Sequence, residues 1–152
     1  MYTHPMKDQI TIKELKSISK DRQTDINHLI YQLDPAVPTT KISDTKKVLT
    51  DPNSHIFIAL NSNQKIIGMI AISHYQQIIG IKKALIEDFV VDKEHRNKGV
   101  GNNLLKYATQ TAKKLNCAHI ELTSNPKRIK ANSFYINQGF ILRETNCYRK
   151  KI

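Results

Sequence analysis

The sequence predicts one α+β domain, and three features carry that expectation. Two apolar runs of strand composition, residues 55–60 and 66–72, face each other across a polar loop. An amphipathic helix covers residues 99–115. The chain has 152 residues, enough to bury one core and short for two.

In chain order, Gln9-Ile10-Thr11-Ile12-Lys13 alternates as a half-exposed strand does, and residues 21–33 then space Ile26, Leu29, Ile30 and Leu33 at helical intervals. Asp34-Pro35-Ala36-Val37-Pro38 ends that helix. Ser43 or Asp44 can cap a short second one running through Val48 and Leu49 before Asp51-Pro52. Residues 55–60 and 66–72 flank Asn61-Ser62-Asn63-Gln64, which reads as a four-residue hairpin loop. Residues 85–91 supply a third strand rich in branched and aromatic side chains, and antiparallel pairing of the three is expected. Across 99–115, Leu104, Leu105, Ala108, Ala112 and Leu115 form one stripe while Asn103, Lys106, Gln110 and Lys113 face outward. Residues 118–123 read as a further strand, 129–137 as a short helix ended by Gly139, and Phe140 onward as a final strand or hairpin. An exposed edge on that final strand could pair with a second copy, which leaves a homodimer open. No repeat, low-complexity run or long linker divides the chain, so residues 1–152 are expected to form a single domain.

Hydrophobic residues at 39% and charged residues at 24% suit a soluble globular chain and exclude a disordered one. No stretch approaches the ~20 apolar residues of a membrane span, so no membrane partner is expected. The opening Met1-Tyr2-Thr3-His4-Pro5-Met6-Lys7-Asp8 lacks a signal-peptide core, and the cytoplasm is the expected compartment. In that compartment Cys117 and Cys147 read as buried free thiols. The six histidines, at positions 4, 28, 55, 74, 95 and 119, show no metal-site spacing, and no metal is expected. A net charge of +11 attracts polyanions, which fits nucleic acid and a multiply phosphorylated cofactor equally well.

The informative stretch is Ile86-Glu87-Asp88-Phe89-Val90-Val91-Asp92, then Lys93-Glu94-His95, then Arg96-Asn97-Lys98-Gly99-Val100-Gly101 opening the long helix. A helix N-terminus offers unpaired N–H groups and partial positive charge, glycines let an anion approach the backbone, and Arg96 and Lys98 add formal charge. Neither G-x-G-x-x-G nor G-x-x-x-x-G-K-[ST] is present. Two glycines at a helix start also fit a plain turn.

These residues resemble the GNAT superfamily of N-acetyltransferases, whose signature [QR]-x-x-G-x-[GA] is met by Arg96, Gly99 and Gly101. The strand wording Glu87-Asp88-Phe89-Val90-Val91-Asp92 before it, and Ala131-Asn132-Ser133-Phe134-Tyr135 to Gly139-Phe140 after it, follow the family's order. The motif-level likeness covers about residues 85–140; the earlier elements agree by order alone. The resemblance implies a splayed, mostly antiparallel sheet of six to seven strands flanked by about four helices. It also implies acetyl-CoA as co-substrate and direct attack by a primary amine in a ternary complex.

It further implies that the backbone of Phe89, Val90 and Val91 pairs with the pantetheine arm, that the amides of Arg96, Asn97, Lys98, Gly99, Val100 and Gly101 hold the pyrophosphate, and that Asn132 bonds the cofactor. One N–H, from Val90 or Val91, would polarise the thioester carbonyl. An alkylamine must lose a proton before attack, and Glu87 is the candidate base. Alternatively Glu87 or Asp88 only orients substrate; unbroken alternation would send the two to opposite faces. Tyr135 matches the family's acid for the departing thiolate, with core packing beside Phe134 as the alternative. Arg128 stands where many members carry Asn, and with Lys127 and Lys130 it could meet phosphate instead.

The acceptor stays open. The strand is similar to that of glucosamine-6-phosphate acetyltransferases, but polyamines, antibiotic amines, amino acids and protein amines use the same scaffold, and the loops near 31–44 and 73–83 carry no readable code. Two other classes compete. A non-catalytic acyl-CoA-binding regulatory module would keep the phosphate turn without needing Glu87 or Tyr135. A nucleic-acid-binding protein rests on charge alone, and six Tyr, four Phe and no Trp argue against it.

Overall fold

The computed structural model describes residues 9–152, so the leader reading of Met1 to Asp8, with His4, falls outside it. The chain divides into two compact units, one ending at Leu122 and one spanning Thr123–Ile152, each described by itself.

The first unit runs β1 (Thr11–Glu14), α1 (Lys20–Leu33), α2 (Ile42–Thr50), β2 (Ser54–Leu60), β3 (Ile66–Gln76), β4 (Lys82–Val91), a 3₁₀ turn at Lys93–His95, α3 (Val100–Lys114) and β5 (His119–Glu121). Five strands form one sheet in sequence order, antiparallel from β1 to β4 and parallel between β4 and β5. The antiparallel trio expected from the sequence is present.

Local chemistry explains the helix starts. Ser19 Oγ accepts from the Arg22 N–H at 3.3 Å and opens α1. The cap of α2 is Lys41 rather than Ser43 or Asp44; Asp44 serves that end from the first turn, its carboxylate accepting the Lys41 N–H at 2.9 Å.

Strand alternation then sorts the core. Ile56, Ile58, Leu60, Ile66, Met69 and Val90 meet Ile26 and Leu29 of α1, with Leu15, Leu49 and Ala71 around them. The opposite face takes α3, whose Val100, Leu104, Leu105, Ala108 and Ala112 are buried. Gly68 permits that contact, because a Cβ there would lie 3.0 Å from Leu104 Cδ1 and 3.3 Å from Val100 Cγ1.

The second unit contains α4 (Ile129–Asn137). No strand forms after Phe140, and among the described residues the sheet has five strands instead of six or seven. Ile141 and Leu142 are each 86% exposed. A strand needs a ladder partner, and branched side chains alone do not supply one. The edge that would have paired with a second copy is therefore missing among the described residues. Both cysteines are free, but Cys117 is only partly buried and Cys147 is exposed, contrary to the expected burial. Among the described residues no helix is long and apolar enough to cross a membrane.

Candidate active site

The site in the first unit is built on β4. Strand β5 pairs with β4 only at Lys83, Ala84 and Leu85, so from Ile86 onward that side of β4 carries no strand among the described residues. The other side stays paired with β3 through Val91. The sheet is thus splayed beside residues 86–91.

Backbone phase decides which groups reach the open edge. Asp92 N–H donates to Ile67 O at 2.9 Å, so residues 92 and 67 form a bonded antiparallel pair. Alternation along the ladder then turns the Val90 amide and carbonyl toward Met69, and those of Phe89 and Val91 toward the open edge. Arg96 agrees with this phase: its Nε donates to Val91 O at 2.9 Å from the open side. Of the two amides named from the sequence, Val91's is the one that faces the gap.

A bulge sits just upstream. Ile70 lies opposite Phe89 and Ile72 opposite Ile86, so Glu87 and Asp88 together oppose Ala71. Both side chains leave the sheet on the Ala71 side, the side of α1 and α2, where Ser73 Oγ donates to Glu87 Oε1 at 3.1 Å. The expectation of opposite faces assumed an unbroken strand and is corrected here. Loss of hydration and, after it, the Glu87 charge hold the Asp88 carboxyl above the usual carboxylate range.

Downstream, β4 enters a turn that ends on α3. Asn97 (φ 61°) and Gly99 (φ 80°) adopt left-handed backbone. Gly99 caps α3 without a side chain, no acidic residue stands in the first turn, and Arg96, Asn97, Lys98 and Gly99 are exposed. Helix geometry leaves the N–H groups of Val100 and Gly101 without an intrahelical acceptor, an arrangement that suits an anion.

One feature of the turn escaped the sequence. Asp92 is buried and accepts from Glu94 N–H (2.9 Å) and from Gln32 Nε2 (3.2 Å), while Gln32 Oε1 accepts the Lys93 N–H (2.9 Å). Burial alone would raise the Asp92 pKa, but the Glu94 and Gln32 hydrogen bonds, with His28 and His95 nearby, bring it below its ordinary value.

In the second unit α4 carries Tyr135 and Asn132. The Tyr135 ring is buried edge-on to Phe134 (5.6 Å) and Phe140 (5.8 Å), and burial raises its pKa against the opposing Arg128 charge. The hydroxyl is therefore protonated at neutral pH. Asn132 Nδ2 donates to the carbonyls of Asn125 (3.0 Å) and Pro126 (3.4 Å), which fixes the loop before α4. Pro126, Ile129, Asn132, Ser133, Ile136 and Asn137 line an open groove of about 380 Å³. Among the described residues no three His, Cys, Asp or Glu side chains gather as a metal site would require.

This architecture has relatives. An aminoalkylphosphonate N-acetyltransferase of Salmonella typhimurium strain LT2 is 33% identical over 97 residues, 60% of this chain and 60% of that protein. Streptothricin acetyltransferase A of Bacillus subtilis strain 168 is 41% identical over 59 residues, 39% of this chain and 34% of that protein. The chain thus matches about 60% or less of these relatives' length. In fold it is similar to an aminoglycoside N-acetyltransferase crystallised with CoA, at TM-score 0.83 and 18% identity over 98% of this chain and 99% of that one. The model of the acetyltransferase (GNAT) family matches residues 18–140, and the chain belongs to that family.

Proposed function

We propose that this protein is an acetyl-CoA-dependent N-acetyltransferase acting on a primary amine, with the whole chain working as one cytoplasmic domain. The observation that carries the reading is the run of β4 past the end of its pairing with β5 at Leu85, directly into an uncapped, basic helix start at residues 96–101. An extended arm with amide groups fits the first, and a pyrophosphate fits the second. The family match across both units supports the single-domain reading.

Bound acetyl-CoA would supply the activated acetyl group. Glu87, directly or through one water, takes the proton of the amine, whose nitrogen forms the new C–N bond as the C–S bond breaks. The Phe89 and Val91 amides hold the arm and donate to the oxygen on which charge develops. Tyr135, protonated at neutral pH, gives its proton to the departing sulfur. Asn132 orders the loop ahead of α4 and keeps its carbonyl oxygen for a cofactor donor.

The acceptor is a small-molecule or protein amine. Named acceptors of the relatives are aminoalkylphosphonates, streptothricin and aminoglycosides. The test is thiol release from acetyl-CoA with those amines, polyamines, amino-sugar phosphates, amino acids and lysine peptides. Amine-dependent release that falls about 10²-fold or more in Tyr135→Phe is expected of a lost general acid. Cofactor binding without release for any amine would instead make the protein a binding module.

A further inference from the structure

Helices α1 and α2 lie on the side of the sheet toward which Glu87 and Asp88 project, and the chain between Leu33 and Ile42 joins them. This loop begins beside the end of β4, because Gln32 in the last turn of α1 touches Asp92 and Lys93. It then retraces α1. Thr40 lies against Asn27, near the middle of the helix, and residues 34–39 between are exposed. Tyr31 stands one turn beyond Asn27 on that side of α1 and is 63% exposed, and Val37 in the loop is 41% exposed. The loop therefore runs along the flank of α1 with apolar surface open to solvent.

A closed set of hydrogen bonds holds it there. Asn27 Oδ1 accepts both the Thr40 N–H (3.1 Å) and the Thr40 hydroxyl (2.8 Å), and its Nδ2 donates to Thr40 O (3.1 Å). The Thr40 hydroxyl, its proton committed to Asn27, accepts from Gln23 Nε2 at 2.9 Å. Gln23 Oε1 in turn accepts the hydroxyl of Thr45, on α2, at 2.7 Å. Turning the Asn27 amide over would set donor against donor and oxygen against oxygen. Turning Gln23 over would set Oε1 against a hydroxyl oxygen that has no proton left to give. One orientation of each amide thus satisfies every partner, and no member of the set titrates. Gln23 and Thr45 are buried, so the hydrogen bond from the loop's Thr40 also meets a need of the interior. Pro35 and Pro38 narrow the loop's alternatives further by fixing φ.

We propose that Gln23 and Asn27 are positioning residues that hold residues 34–40, through Thr40, as a pre-formed wall of the acceptor cleft. This rests on the reading of Glu87 as the group that meets the amine. A loop already in its binding arrangement spares the acceptor the cost of ordering it. When only a fraction of molecules hold that arrangement, apparent acceptor affinity falls by that fraction, while saturating acceptor restores the order and with it kcat. CoA, held by the edge of β4 and the start of α3, meets neither Thr40 nor its partners.

The test is steady-state kinetics of wild type, Thr40→Val, Asn27→Ala and Thr40→Ser with neamine, spermidine, aminoethylphosphonate, glucosamine 6-phosphate and lysine as acceptors. CoA affinity by calorimetry and thermal midpoints are measured alongside. Thr40→Val keeps the volume but breaks the bonds to Gln23 Nε2 and Asn27 Oδ1. For each amine that wild type acetylates, its acceptor KM should rise about fivefold or more, with kcat and CoA affinity within about twofold. Asn27→Ala, which loses three bonds, should raise KM at least as far. Thr40→Ser keeps the hydroxyl and should stay within about twofold of wild type. A contact that only stabilises the fold would lower the midpoint without this split between KM and kcat. An unchanged acceptor KM in Thr40→Val, a loss shared equally by kcat and CoA affinity, or a Thr40→Ser variant as impaired as Thr40→Val would overturn the proposal. Wild type that binds CoA but acetylates none of these amines would instead remove the reading of Glu87 beneath it.

Discussion

Replacing Gly68 by alanine measures how tightly α3 is seated beneath the turn at residues 96–99. The added methyl would lie 3.0 Å from Leu104 Cδ1, 3.3 Å from Val100 Cγ1 and 3.3 Å from Val90 O. Carbon–carbon contact is optimal near ~3.5–4.0 Å, so the closest pair is short by about 0.5–1 Å. Leu104 Cδ1 ends a flexible side chain, but Leu104 is fully buried and Val100 begins the helix, so relief requires α3 to lift at its N-terminal end. Overpacking of this kind costs about 1–3 kcal/mol. Restricting the unfolded chain with a Cβ returns about 0.4–1 kcal/mol. The net destabilisation is about 1–2 kcal/mol, and a domain of this size then loses about 2–8 °C of thermal midpoint. Thermal unfolding followed by circular dichroism reads the loss, and Gly68→Val should enlarge it because its branches enter the same gap. A Gly68→Ala midpoint at or above wild type would refute the reasoning, since it would mean that α3 yields without penalty.

Two pH-linked predictions follow from the titratable groups. Asp88 has a raised folded pKa, so its ionised form opposes folding above the ordinary carboxylate range; Asp88→Asn should stabilise at pH 7, by less than about 1 kcal/mol given its exposure, and the gain should vanish below about pH 3. Urea midpoints at the two pH values check it, and destabilisation at pH 7 would show that the carboxylate makes a stabilising contact. His74 is buried on β3, stacked 5.6 Å from His55, and burial, then Lys82 and His55, lower its pKa against the weaker opposing pull of Asp51 and the Pro52 backbone. Its contribution to stability is full above the ordinary value of 6.5 and is lost as pH falls from there toward the lowered one. His74→Phe keeps the stacked ring but cannot titrate, so its stability should fall less than that of wild type between about pH 7 and 5; parallel curves would exclude His74 as the source.

The legible parts of this fold are those whose information is local. Helix α3 writes its buried stripe in one window of sequence, and the turn before it writes its glycines and cations beside it. The Gln32–Asp92 contact could not be read that way, because an amide 60 residues from its carboxylate leaves no periodic trace. The final strand failed for the converse reason. Residues 140–142 have strand composition, and composition says nothing about whether an edge is present to receive them.

The bulge at Glu87 and Asp88 shows how far one unread residue propagates. Had the register that pairs Ile72 with Ile86 continued unbroken, Asp88 would oppose Ile70 on the face covered by α3, Phe89 would oppose Met69 in the α1 core, and Val90 would lie over Gly68. A carboxylate would then be buried under α3 and a phenyl ring forced among Ile58, Met69 and Leu29. The extra residue instead places Val90 in that core, leaves Gly68 opposite Val91 and keeps both carboxylates on the side of α1 and α2. The same shift sets the backbone phase, so that Val91 and Phe89 rather than Val90 turn their amides to the open edge. The charge arrangement on one face and the donors on the edge therefore have a single cause. It lies in the packing of β4 against its neighbour, where hydrophobic side chains compete for the buried positions and the acidic pair is pushed out.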